Sequence, residues 1–559
     1  MFSFLKKIWP LITPYWKSSE KWMAWLLLGV IIGLNLGEVY INVLLNKWNN
    51  DFYNSLQNVD KDAFVHALIK FSYLAVSFIV VVVYKTYLNQ MLRIKWRKWL
   101  TAHYLTDWLA KQNYYRIQLF SGHSDNPDQR ISEDIEQFIQ LTLGLSLGLL
   151  SSVVTLFSFL FILWELSGAL DFGFNGMAIH IPGYMVWVAL VYAIAGTWIT
   201  TIIGRPLIML NFNQQRYEAD FRFSLVRLRE NSESVAFYRG EGQEHNNFML
   251  RFNSVVDNFW QIMKRQKTLT WFTSGYGQIA TIFPFVVCAP RFFSGAIKLG
   301  GLMQTASAFG QVQGALSYIV DAYTSIATWR AVIDRLHGFK QNITNAENLK
   351  ITANIFTQTQ SNEIQATDLT VKLPNGTALL SNINMTIKPG DSVLISGASG
   401  VGKSTLLRTL AGIWPFTEGK ISIPAQAKVL FIPQRPYLPL GTLRAALCYP
   451  DAPNTDDKTV SDILLLCGLA HLAPKLDDVE LWSHNLSIGE QQRIGFVRLL
   501  LIKPDFAFLD EATSALDEPA EVQLYKLLRE KLPNMALVSV GHRSTLRAWH
   551  ATETILSNH

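Results

Sequence analysis

Residues 392–412 read SVLISGASGVGKSTLLRTLAG, and this stretch decides the fold of the carboxyl-terminal part of the chain. A short apolar strand pattern leads into G-x-x-x-x-G-K-S, and a helical pattern follows, which is the order that a phosphate-binding loop requires. The glycines allow backbone N–H groups to surround a phosphate, aided by the positive dipole end of the following helix. The predicted nucleotide-binding residues are Gly397, Ala398, Ser399, Gly400, Val401, Gly402, Lys403, Ser404 and Thr405.

A second stretch supplies acids that suit such a loop. Residues 506–511 read FAFLDE, so that four apolar residues predict a buried strand whose end presents two carboxylates. We expect Lys403 to reach the β- and γ-phosphates, and Ser404 and Asp510 to ligate Mg²⁺ beside the bound nucleotide. Glu511 suits the general base that polarises the attacking water. An isolated acidic pair would suggest a cap, but beside a phosphate-binding loop a catalytic role is favoured.

The composition separates a membrane half from a soluble half. The chain has 559 residues, of which 49% are hydrophobic and only 16% charged, against roughly 25% charged in an average soluble protein. The long apolar runs lie before about residue 330. Three cysteines are too few for a disulfide scaffold or a four-cysteine metal site. Much of the basic charge in the membrane half flanks the apolar runs, so we expect a lipid bilayer and no nucleic acid as partner.

Six segments are candidates for membrane-spanning helices, which need about 20 mostly apolar residues. They are 23–45, 67–88, 139–163, 183–203, 271–291 and 299–324. The sixth is rich in Gly, Ala, Ser and Gln, so we expect one side of it to face a pore or neighbouring helices. A buried helix of a soluble domain is the alternative for that segment alone. The predicted domains are an amphipathic segment 1–22, a transmembrane domain 23–335, a linker 336–361 and a nucleotide-binding domain 362–559.

The distribution of Lys and Arg predicts how these spans are oriented. Segment 91–138 contains seven and segment 204–270 contains ten, whereas 164–182 contains none. Basic loops face the cytosol, so six spans place both chain ends there. Neither Gly nor Pro occurs between Ala63 and Ser121, and a helix of about 50 residues reaches ~75 Å, more than twice a ~30 Å hydrocarbon core. We therefore expect helices that extend far into the cytosol, with several shorter helices as the alternative.

Further residues of the soluble half resemble motifs of the ABC transporter ATPase family. Gln434 matches the Q-loop of that family, and His542, in VSVGHR, matches its switch histidine. Ser514 and Asp517, in SALD, match its D-loop. The resemblance implies catalytic roles for Gln434 and His542 beside Glu511, and a Mg²⁺-ligand role for Gln434. The segment where the family stacks adenine falls at 371–373, which offers no aromatic side chain, so we expect aliphatic packing or loose nucleotide discrimination.

Residues 486–493, LSIGEQQR, resemble the signature loop of the same family. The loop departs from the family pattern with Ile488 in place of Gly and Glu490 in place of Gln, whereas Ser487 and Gly489 are kept. In ABC proteins the signature loop completes the ATP site of the opposite ATPase domain, so these four residues are expected to act in trans. One P-loop, one signature loop and six spans imply a working unit of two chains. A homodimer is the simplest assembly, with a related half-transporter as the alternative partner.

Two stretches of the membrane half narrow the resemblance. NPDQRI at 126–131 with EDI at 133–135, and the segment 218–238, look like subfamily D, the peroxisomal acyl-CoA transporters, and like the bacterial SbmA/BacA-like proteins. LNKWNNDFY at 45–53 and LGGLMQ at 299–304 are similar to the YddA-type bacterial branch. The resemblance implies a multi-domain membrane protein in which a six-helix exporter-type (type IV) transmembrane domain precedes an α/β P-loop ATPase domain.

The same two stretches supply candidates for coupling between the ATPase and the spans. Pro127 suits the break between two helices, and acids follow in the first turn of the next helix. A capped turn with no coupling role is the alternative. The predicted coupling residues are Asn126, Pro127, Asp128, Arg130, Glu218 and Glu233.

The sequence thus predicts an ATP hydrolase coupled to solute movement, in a multi-pass protein of a bacterial inner membrane. The polar face of the sixth span, together with the bacterial relatives, favours uptake of a hydrophilic or amphipathic solute such as a peptide or a cobalamin-like molecule. A fatty acyl-CoA or lipid transporter, or an exporter, is the alternative within this class. A membrane-anchored ATPase that acts as a sensor or binds a partner without transport is the alternative outside it.

Overall fold

The computed structural model describes residues 2–121, 126–174, 177–348, 356–452 and 454–557, and the chain divides into two compact units. The first unit consists of Met1–Asp107 and Asp125–Gln341, and the second of Trp108–Ser124 and Asn342–His559. The boundary near residue 341 lies inside the predicted linker 336–361, of which 349–355 is outside the described residues. The grouping of residues 108–124 with the second unit was not expected from the sequence.

Long helices make up most of the chain before residue 348. They are α1 (Phe2–Trp16), α2 (Lys21–Gln57), α3 (Lys61–Leu109), α4 (Asn113–Ser121), α5 (Pro127–Gln129), α6 (Ile135–Ser167), α7 (Tyr184–Glu230), α8 (Ser232–Tyr238), α9 (Glu241–Phe293), α10 (Leu299–Asp321) and α11 (Tyr323–Asn348). A π-helical turn, Arg130–Asp134, joins α5 to α6. Between α6 and α7 the strands β1 (Ala169–Phe174) and β2 (Met177–Pro182) form an antiparallel hairpin.

Five helices of the described chain are long and apolar enough to cross a membrane. They are Lys21–Gln57, Lys61–Leu119, Pro127–Ser167, Tyr184–Glu230 and Glu241–Phe293. They coincide with the first five predicted spans and extend beyond them. The 49 residues of α3 correspond to about 70 Å at ~1.5 Å per residue, which agrees with the predicted extension beyond the bilayer.

The sixth predicted span forms α10, although it is less apolar than the five others. α10 packs against α2, α6, α7 and α9. Its Phe309 and Val312 are buried in one apolar cluster with Phe159 of α6 and Met185 of α7. Because four neighbouring helices cover part of its surface, this helix does not need the uniformly apolar surface that lipid demands.

The amino-terminal helix α1 has one face that packs on α3 and α11 and also exposes an apolar side chain. Tyr15 is fully buried and stacks on Trp96 of α3 with ring centroids 5.5 Å apart. Lys7 of α1 forms a 2.6 Å ion pair with Asp334 of α11. Trp9 remains exposed. The predicted amphipathic segment is therefore a helix with one face fixed to α3 and α11.

Helix α4 belongs to the second unit through its packing. Leu119 packs against the apolar cluster of that unit that includes Val371 and Leu380, and Ile117 is buried. Lys111, just before α4, lies 3.7 Å from Glu347 near the end of α11. These contacts tie the segment that follows α3 to the ATPase half of the sequence.

The second unit combines two sheets with flanking helices. The strands are β3 (Phe356–Thr359), β4 (Ile364–Lys372), β5 (Ala378–Ile387), β6 (Ser392–Gly397), β7 (Thr417–Pro424), β8 (Val429–Ile432), β9 (Gly441–Thr442), β10 (Val479–Glu480), β11 (Phe506–Asp510), β12 (Ala536–Val540) and β13 (Thr552–Leu556). The helices are α12 (Lys403–Leu410), α13 (Leu443–Cys448), α14 (Asp457–Leu466), α15 (Trp482–Asn485), α16 (Ile488–Ile502) and α17 (Glu518–Lys531).

The larger sheet positions the predicted chemistry. Its five strands are parallel, in the order β13-β6-β12-β11-β8, and a four-stranded sheet has the order β3-β7-β4-β5. Every residue of β12 is buried, as expected for a parallel strand covered on both faces. β6, β11 and β12 are neighbours, so their carboxyl ends bring the P-loop, the two acids and the switch histidine to one edge, where α/β sheets bind ligands.

Candidate functional site

The P-loop between β6 and α12 has the backbone geometry of a phosphate cradle. Gly397, Gly400 and Gly402 have φ of 147°, 80° and 107°, a region that side chains rarely adopt. A Cβ on Gly397 would lie 2.6 Å from the carbonyl oxygen of Leu556, and a Cβ on Gly402 would lie 2.6 Å from the Leu379 side chain. Glycine is therefore required at these two positions by both φ and space.

Two side chains that leave the start of α12 face this edge. Lys403 is buried, and its Nζ donates to the carbonyl oxygens of Gly397 and Ala398 at 3.0 Å each. The ammonium group thus sits on the loop that would surround a phosphate. Ser404 Oγ donates to Asp510 Oδ1 at 2.9 Å. A hydroxyl and a carboxylate side by side are the oxygen ligands that Mg²⁺ prefers, so these two residues fit the predicted metal.

Asp510 and Glu511 differ in their surroundings. Burial raises the pKa of Asp510 above its ordinary value; the Ser404 hydroxyl opposes this and the neighbouring Glu511 adds to it. Glu511 follows β11 with φ of 47°, and its N–H donates to the carbonyl of Val540 at 3.0 Å. This bond directs the Glu511 side chain beyond the strand end.

The three predicted catalytic residues meet at Glu511. Gln434 Nε2 donates to Glu511 Oε2 at 3.1 Å, and His542 Nε2 lies 3.7 Å from Glu511 Oε1. Both the histidine and the acid are partly exposed, so a water molecule can reach them. Gln434 also lies 3.4 Å from Ser514 of the D-loop. The amide nitrogen of Gln434 is bonded to Glu511, and the role of Gln434 as a Mg²⁺ ligand stays a prediction.

The signature loop forms its own cap. Ser487 Oγ accepts from the N–H of Glu490, and Glu490 Oε2 accepts from both the N–H and the hydroxyl of Ser487, which is a capping box at the start of α16. His471 lies 3.0 Å from Glu490. A Cβ on Gly489 would contact the D-loop carbonyl of Ala515 at 3.4 Å, and Ile488 is exposed. The departure from the family at Glu490 therefore has a local structural role.

Burial raises the pKa of Glu490, but the hydrogen bonds from Ser487 and the adjacent His471 outweigh it and hold that pKa below the ordinary value. The D-loop is also capped, because the Asp517 side chain accepts from the N–H of Ala520 at the start of α17. At the predicted adenine segment, Val371 is buried in the core, which leaves Leu373 as the half-buried apolar side chain.

Two buried polar residues near the D-loop were missed by sequence reasoning. Gln492, in α16, hydrogen-bonds Gln434, Ser514 and the backbone of Ala515, and Glu521, in α17, is fully buried. A sequence signal exists for Glu521. It occupies the apolar face of α17 with Leu524 and Leu528, three and seven residues further on.

The first group of predicted coupling residues lies at the start of α6. The Asn126 carbonyl accepts from the N–H of Arg130, and the Asp128 carbonyl accepts from Ser132 Oγ. Pro127 is the first residue of α5. Arg130 donates to Asp134 at 2.7 Å. No side chain caps α5 at Asn126 or α6 at Asp134, so the coupling role and the alternative of a capped turn without one both stay predictions.

Three acids in one stretch pair with arginines from three different helices. Asp134, 2% exposed, accepts two hydrogen bonds from Arg335 of α11 at 2.6 and 2.9 Å. The neighbouring acids are paired as well, in the ion pairs Glu133–Arg222 at 3.7 Å, Glu136–Arg93 at 2.6 Å and Glu136–Arg97 at 2.7 Å. These bonds fix α3, α7 and α11 to the beginning of α6. The sequence analysis quoted Asp134 only within the EDI stretch and did not name Arg335.

The second group of predicted coupling residues is exposed. Glu218 accepts from Gln214 at 3.2 Å along α7, and Glu233 lies in the first turn of α8. At the end of α8, Phe237 and Tyr238 are 81% and 87% exposed. Two aromatic side chains at the tip of a long helical hairpin leave a large apolar surface uncovered within the chain.

Comparisons with known proteins agree with this geometry. The family described as "ABC transporter transmembrane region 2" matches residues 11–293, and the family described as "ABC transporter" matches residues 380–514. The chain is similar to the inner membrane ABC transporter ATP-binding protein YddA of Escherichia coli, with 37% identity over 98% of this chain and 96% of that protein. It is also similar to the human lysosomal cobalamin transporter ABCD4, with 27% identity over 96% and 92%.

A solved structure confirms the predicted architecture. The structure of a bacterial Atm1-family ABC exporter with ATP bound matches 95% of this chain and 94% of its own, with a TM-score of 0.77 and 16% identity. At that identity the likeness shows the fold alone. Together with the P-loop geometry and the two matched families, it confirms an exporter-type transmembrane domain followed by an α/β ATPase domain. The chain belongs to the ABC transporters, and it is a half-transporter that couples ATP hydrolysis to transport.

Proposed function

We propose that two copies of this chain carry a hydrophilic or amphipathic solute, of the peptide or cobalamin-like class, inward across a bacterial inner membrane with both termini in the cytosol. The name of the YddA relative places that protein in an inner membrane, and the name of ABCD4 assigns cobalamin transport to that protein. The observation that carries the proposal is a polar cavity between α6 and α10.

Most polar side chains of α10 are used inside the chain. Gln304 exchanges hydrogen bonds with Asn46 and accepts from Asn50 of α2. Gln313 donates to Ser317, which lies 3.4 Å from the Tyr276 hydroxyl. These residues join helices, so they do not indicate a solute path.

Gln311 of α10 and Ser151, Ser152 and Thr155 of α6 are different. They line a cavity of about 240 Å³ and have no side-chain hydrogen bond within the described part of the chain. A Cβ placed on Gly310 or Gly314 would meet no atom within 4 Å, so this surface is open. Unpaired polar groups are costly inside a membrane bundle unless water or a solute meets them. Their neutrality favours a solute that offers amide or hydroxyl groups.

The ATP site supplies the driving reaction. In the proposed mechanism the P-loop amides and Lys403 bind the β- and γ-phosphates, and Ser404 and Asp510 would hold Mg²⁺. Bound Mg²⁺ neutralises charge that develops on the phosphate oxygens. Glu511 orients and polarises the attacking water, while His542 and Gln434 hold that carboxylate in place.

Two copies are needed because the signature residues are proposed to complete the partner's site. A complementation experiment tests this. Lys403→Ala disables the P-loop and Ser487→Arg disables the signature loop, and each variant alone is expected to be inactive. In a mixed dimer one of the two sites has both motifs intact, so purified mixed dimers are expected to show about half of the wild-type ATPase activity. No recovery in verified mixed dimers would contradict a site shared between chains.

We further propose that both groups of coupling residues transmit ATP-driven closure to the spans. Arg130 acts through the buried Asp134, whereas Glu218 and Glu233, with the exposed Phe237 and Tyr238, are free to contact a second copy. Glu233→Ala and Phe237→Ala are expected to keep ATPase activity and lose transport. Wild-type transport by both would exclude this role for α8.

Transport itself is tested in proteoliposomes loaded with labelled tripeptide, cyanocobalamin or oleoyl-CoA. ATP added outside energises only molecules whose ATPase domain faces outward, for which movement out of the lumen is the inward direction in a cell. We expect ATP-dependent loss of peptide or cobalamin from the lumen. Glu511→Gln should abolish this loss, and Gln311→Leu should reduce it. Gln278→Leu, an exposed glutamine of α9 outside the cavity, is the matched control.

The remaining outcomes decide among the alternatives. Movement of oleoyl-CoA alone would favour a lipid or acyl-CoA transporter. In a second set of empty vesicles, ATP-dependent accumulation in the lumen of labelled solute supplied outside would identify an exporter. ATP turnover without movement of any of the three would favour a sensor or partner-binding ATPase.

A further inference from the structure

Thr513–Asp517, five of the six residues between the catalytic carboxylate and α17, are held from two sides by buried polar side chains; we call this stretch the D-loop segment. It connects Glu511 to the helix that Asp517 caps. The stretch itself is a series of turns, because Ser514 N–H donates to the Glu511 carbonyl and Leu516 N–H donates to the Thr513 carbonyl. Its position is therefore set by what surrounds it.

On one side lies Gln492, which is fully buried in α16. Its Nε2 donates to the Gln434 carbonyl and to Ser514 Oγ, both at 3.0 Å, and its Oε1 accepts from Ala515 N–H at 2.9 Å. A single amide thus links the signature helix, the Q-loop and the D-loop segment. Because the Gln492 side chain is itself fully buried, losing any of these bonds leaves one of its polar atoms without that partner, which costs free energy.

On the other side lies Glu521, also fully buried. Its carboxylate accepts from Thr513 Oγ1 at 2.6 Å and from the hydroxyl of Thr545, which follows the switch histidine. Arg543 lies 3.6 Å from the same carboxylate and donates to the carbonyls of Leu516 at 2.7 Å and Ser514 at 3.0 Å. The switch loop and the D-loop segment are therefore joined at Glu521.

We propose that Gln492 and Glu521 are positioning residues for ATP hydrolysis, which together clamp the D-loop segment and so set the spacing between Glu511 and His542. In the described chain neither side chain hydrogen-bonds a residue of the phosphate-binding loop. Glu511 and His542 follow the adjacent strands β11 and β12, and their side chains lie 3.7 Å apart. The chain continues from Glu511 into the D-loop segment and from His542 into the switch loop. A shift of either segment changes this spacing, and an error of about 1 Å in a catalytic group can cost on the order of a hundredfold in rate.

The clamp predicts a specific kinetic signature in the full chain reconstituted in nanodiscs. Gln492→Leu, Glu521→Gln and Thr545→Val are each expected to lower kcat for ATP about tenfold or more, with KM for MgATP changed less than about twofold. Thr545→Ser, which keeps the hydroxyl, is expected to restore kcat. Thr417→Val is the matched control, because Thr417 is a buried threonine of β7 whose hydroxyl bonds a backbone carbonyl away from the D-loop segment.

A purely structural role would give another result. With a purely structural role, the variants and the Thr417→Val control would both have a lower melting temperature. The kcat of the variants, measured well below that temperature, would then be unchanged. That outcome, or a rise in KM at constant kcat, would overturn the proposal. If the two residues act on one segment, the Gln492→Leu/Glu521→Gln double variant loses clearly less than the product of the two single losses. A loss equal to that product would show independent action and reject the shared clamp.

Discussion

Acidic side chains are used in opposite ways in the two units of this protein. At the ATPase edge, Asp510 and Glu511 contact a serine hydroxyl, a glutamine amide and a histidine, and neither forms an ion pair with Lys or Arg in the described chain. At the start of α6, Asp134 and Glu136 each meet two arginines. A carboxylate without a Lys or Arg partner, which we call an open acid, remains available to a metal ion or a water molecule. A carboxylate that pairs with two arginines, which we call a saturated acid, holds together the helices that carry those arginines.

The largest effect is expected from removing the open acid Glu511. Glu511→Gln keeps the size of the side chain and the contact with Gln434 but removes the base, so the ATPase rate is expected to fall by about 10²–10⁴. ATP binding should persist, since Lys403 and the P-loop are unchanged. Phosphate release and nucleotide affinity measured on the same preparation check both parts. Hydrolysis within a few fold of wild type would assign the base to another residue.

The next largest effect is expected from removing the saturated acid Asp134. Asp134→Ala removes the buried carboxylate that Arg335 contacts at 2.6 Å, and removing one member of a buried pair costs about 3–5 kcal/mol. Glu133→Ala is the matched control, because its pair with Arg222 is exposed and such pairs contribute about 0–1 kcal/mol. Chemical unfolding in detergent measures both. Equal destabilisation would mean that burial does not distinguish these acids.

A smaller effect tests the polar joint between α2 and α10. A Cβ at position 300 would lie 2.2 Å from the carbonyl oxygen of Asn50, and the N–H of Gly300 donates to Asn54. Gly300→Ala must push these helices apart, which we expect to cost about 1–3 kcal/mol. Gly301→Ala is the control, since its nearest contact is an ordinary 3.8 Å. Thermal unfolding curves of the two variants should separate clearly.

The smallest effect concerns pH. The depressed pKa of Glu490 means that its capping box stabilises the fold above the ordinary pKa of the glutamate, and that this contribution is lost as pH falls through the lower, folded-state pKa. The loss should be about 0.5–1 kcal/mol, the size of one helix cap. Between pH 6 and pH 3.5 wild type should therefore lose more stability than Glu490→Gln. Parallel pH profiles would show that the cap contributes nothing measurable.

The parts of the candidate ATP site could be predicted from sequence because each of them is local. A glycine-rich loop between a strand and a helix, and two acids after an apolar strand, each occupy one short stretch. The contacts of Glu511 with Gln434 and His542 follow from placing those stretches on neighbouring parallel strands. Gln492 and Glu521 could not be assigned in this way, because their partners are 8–58 residues away and lie in three different loops.

The membrane half shows the opposite balance. Hydropathy located the spans, and the absence of Gly and Pro indicated the length of α3. The roles of the polar residues did not follow from pattern, because Gln304 and Gln311 stand seven residues apart on one helix and look equivalent in sequence. Packing separates them, since Gln304 meets asparagines of α2 whereas Gln311 faces an open cavity.

The sequence by itself determined the family and its ATPase activity, and it predicted the residues proposed to contact phosphate and Mg²⁺, because these depend on short motifs with fixed backbone geometry. Only the tertiary structure decided which acids are open and which are neutralised. It also showed that 108–124 joins the ATPase unit and which polar groups of α10 remain free. These properties depend on what a distant helix or loop brings within hydrogen-bonding distance, and a single chain's local pattern carries no record of that distance.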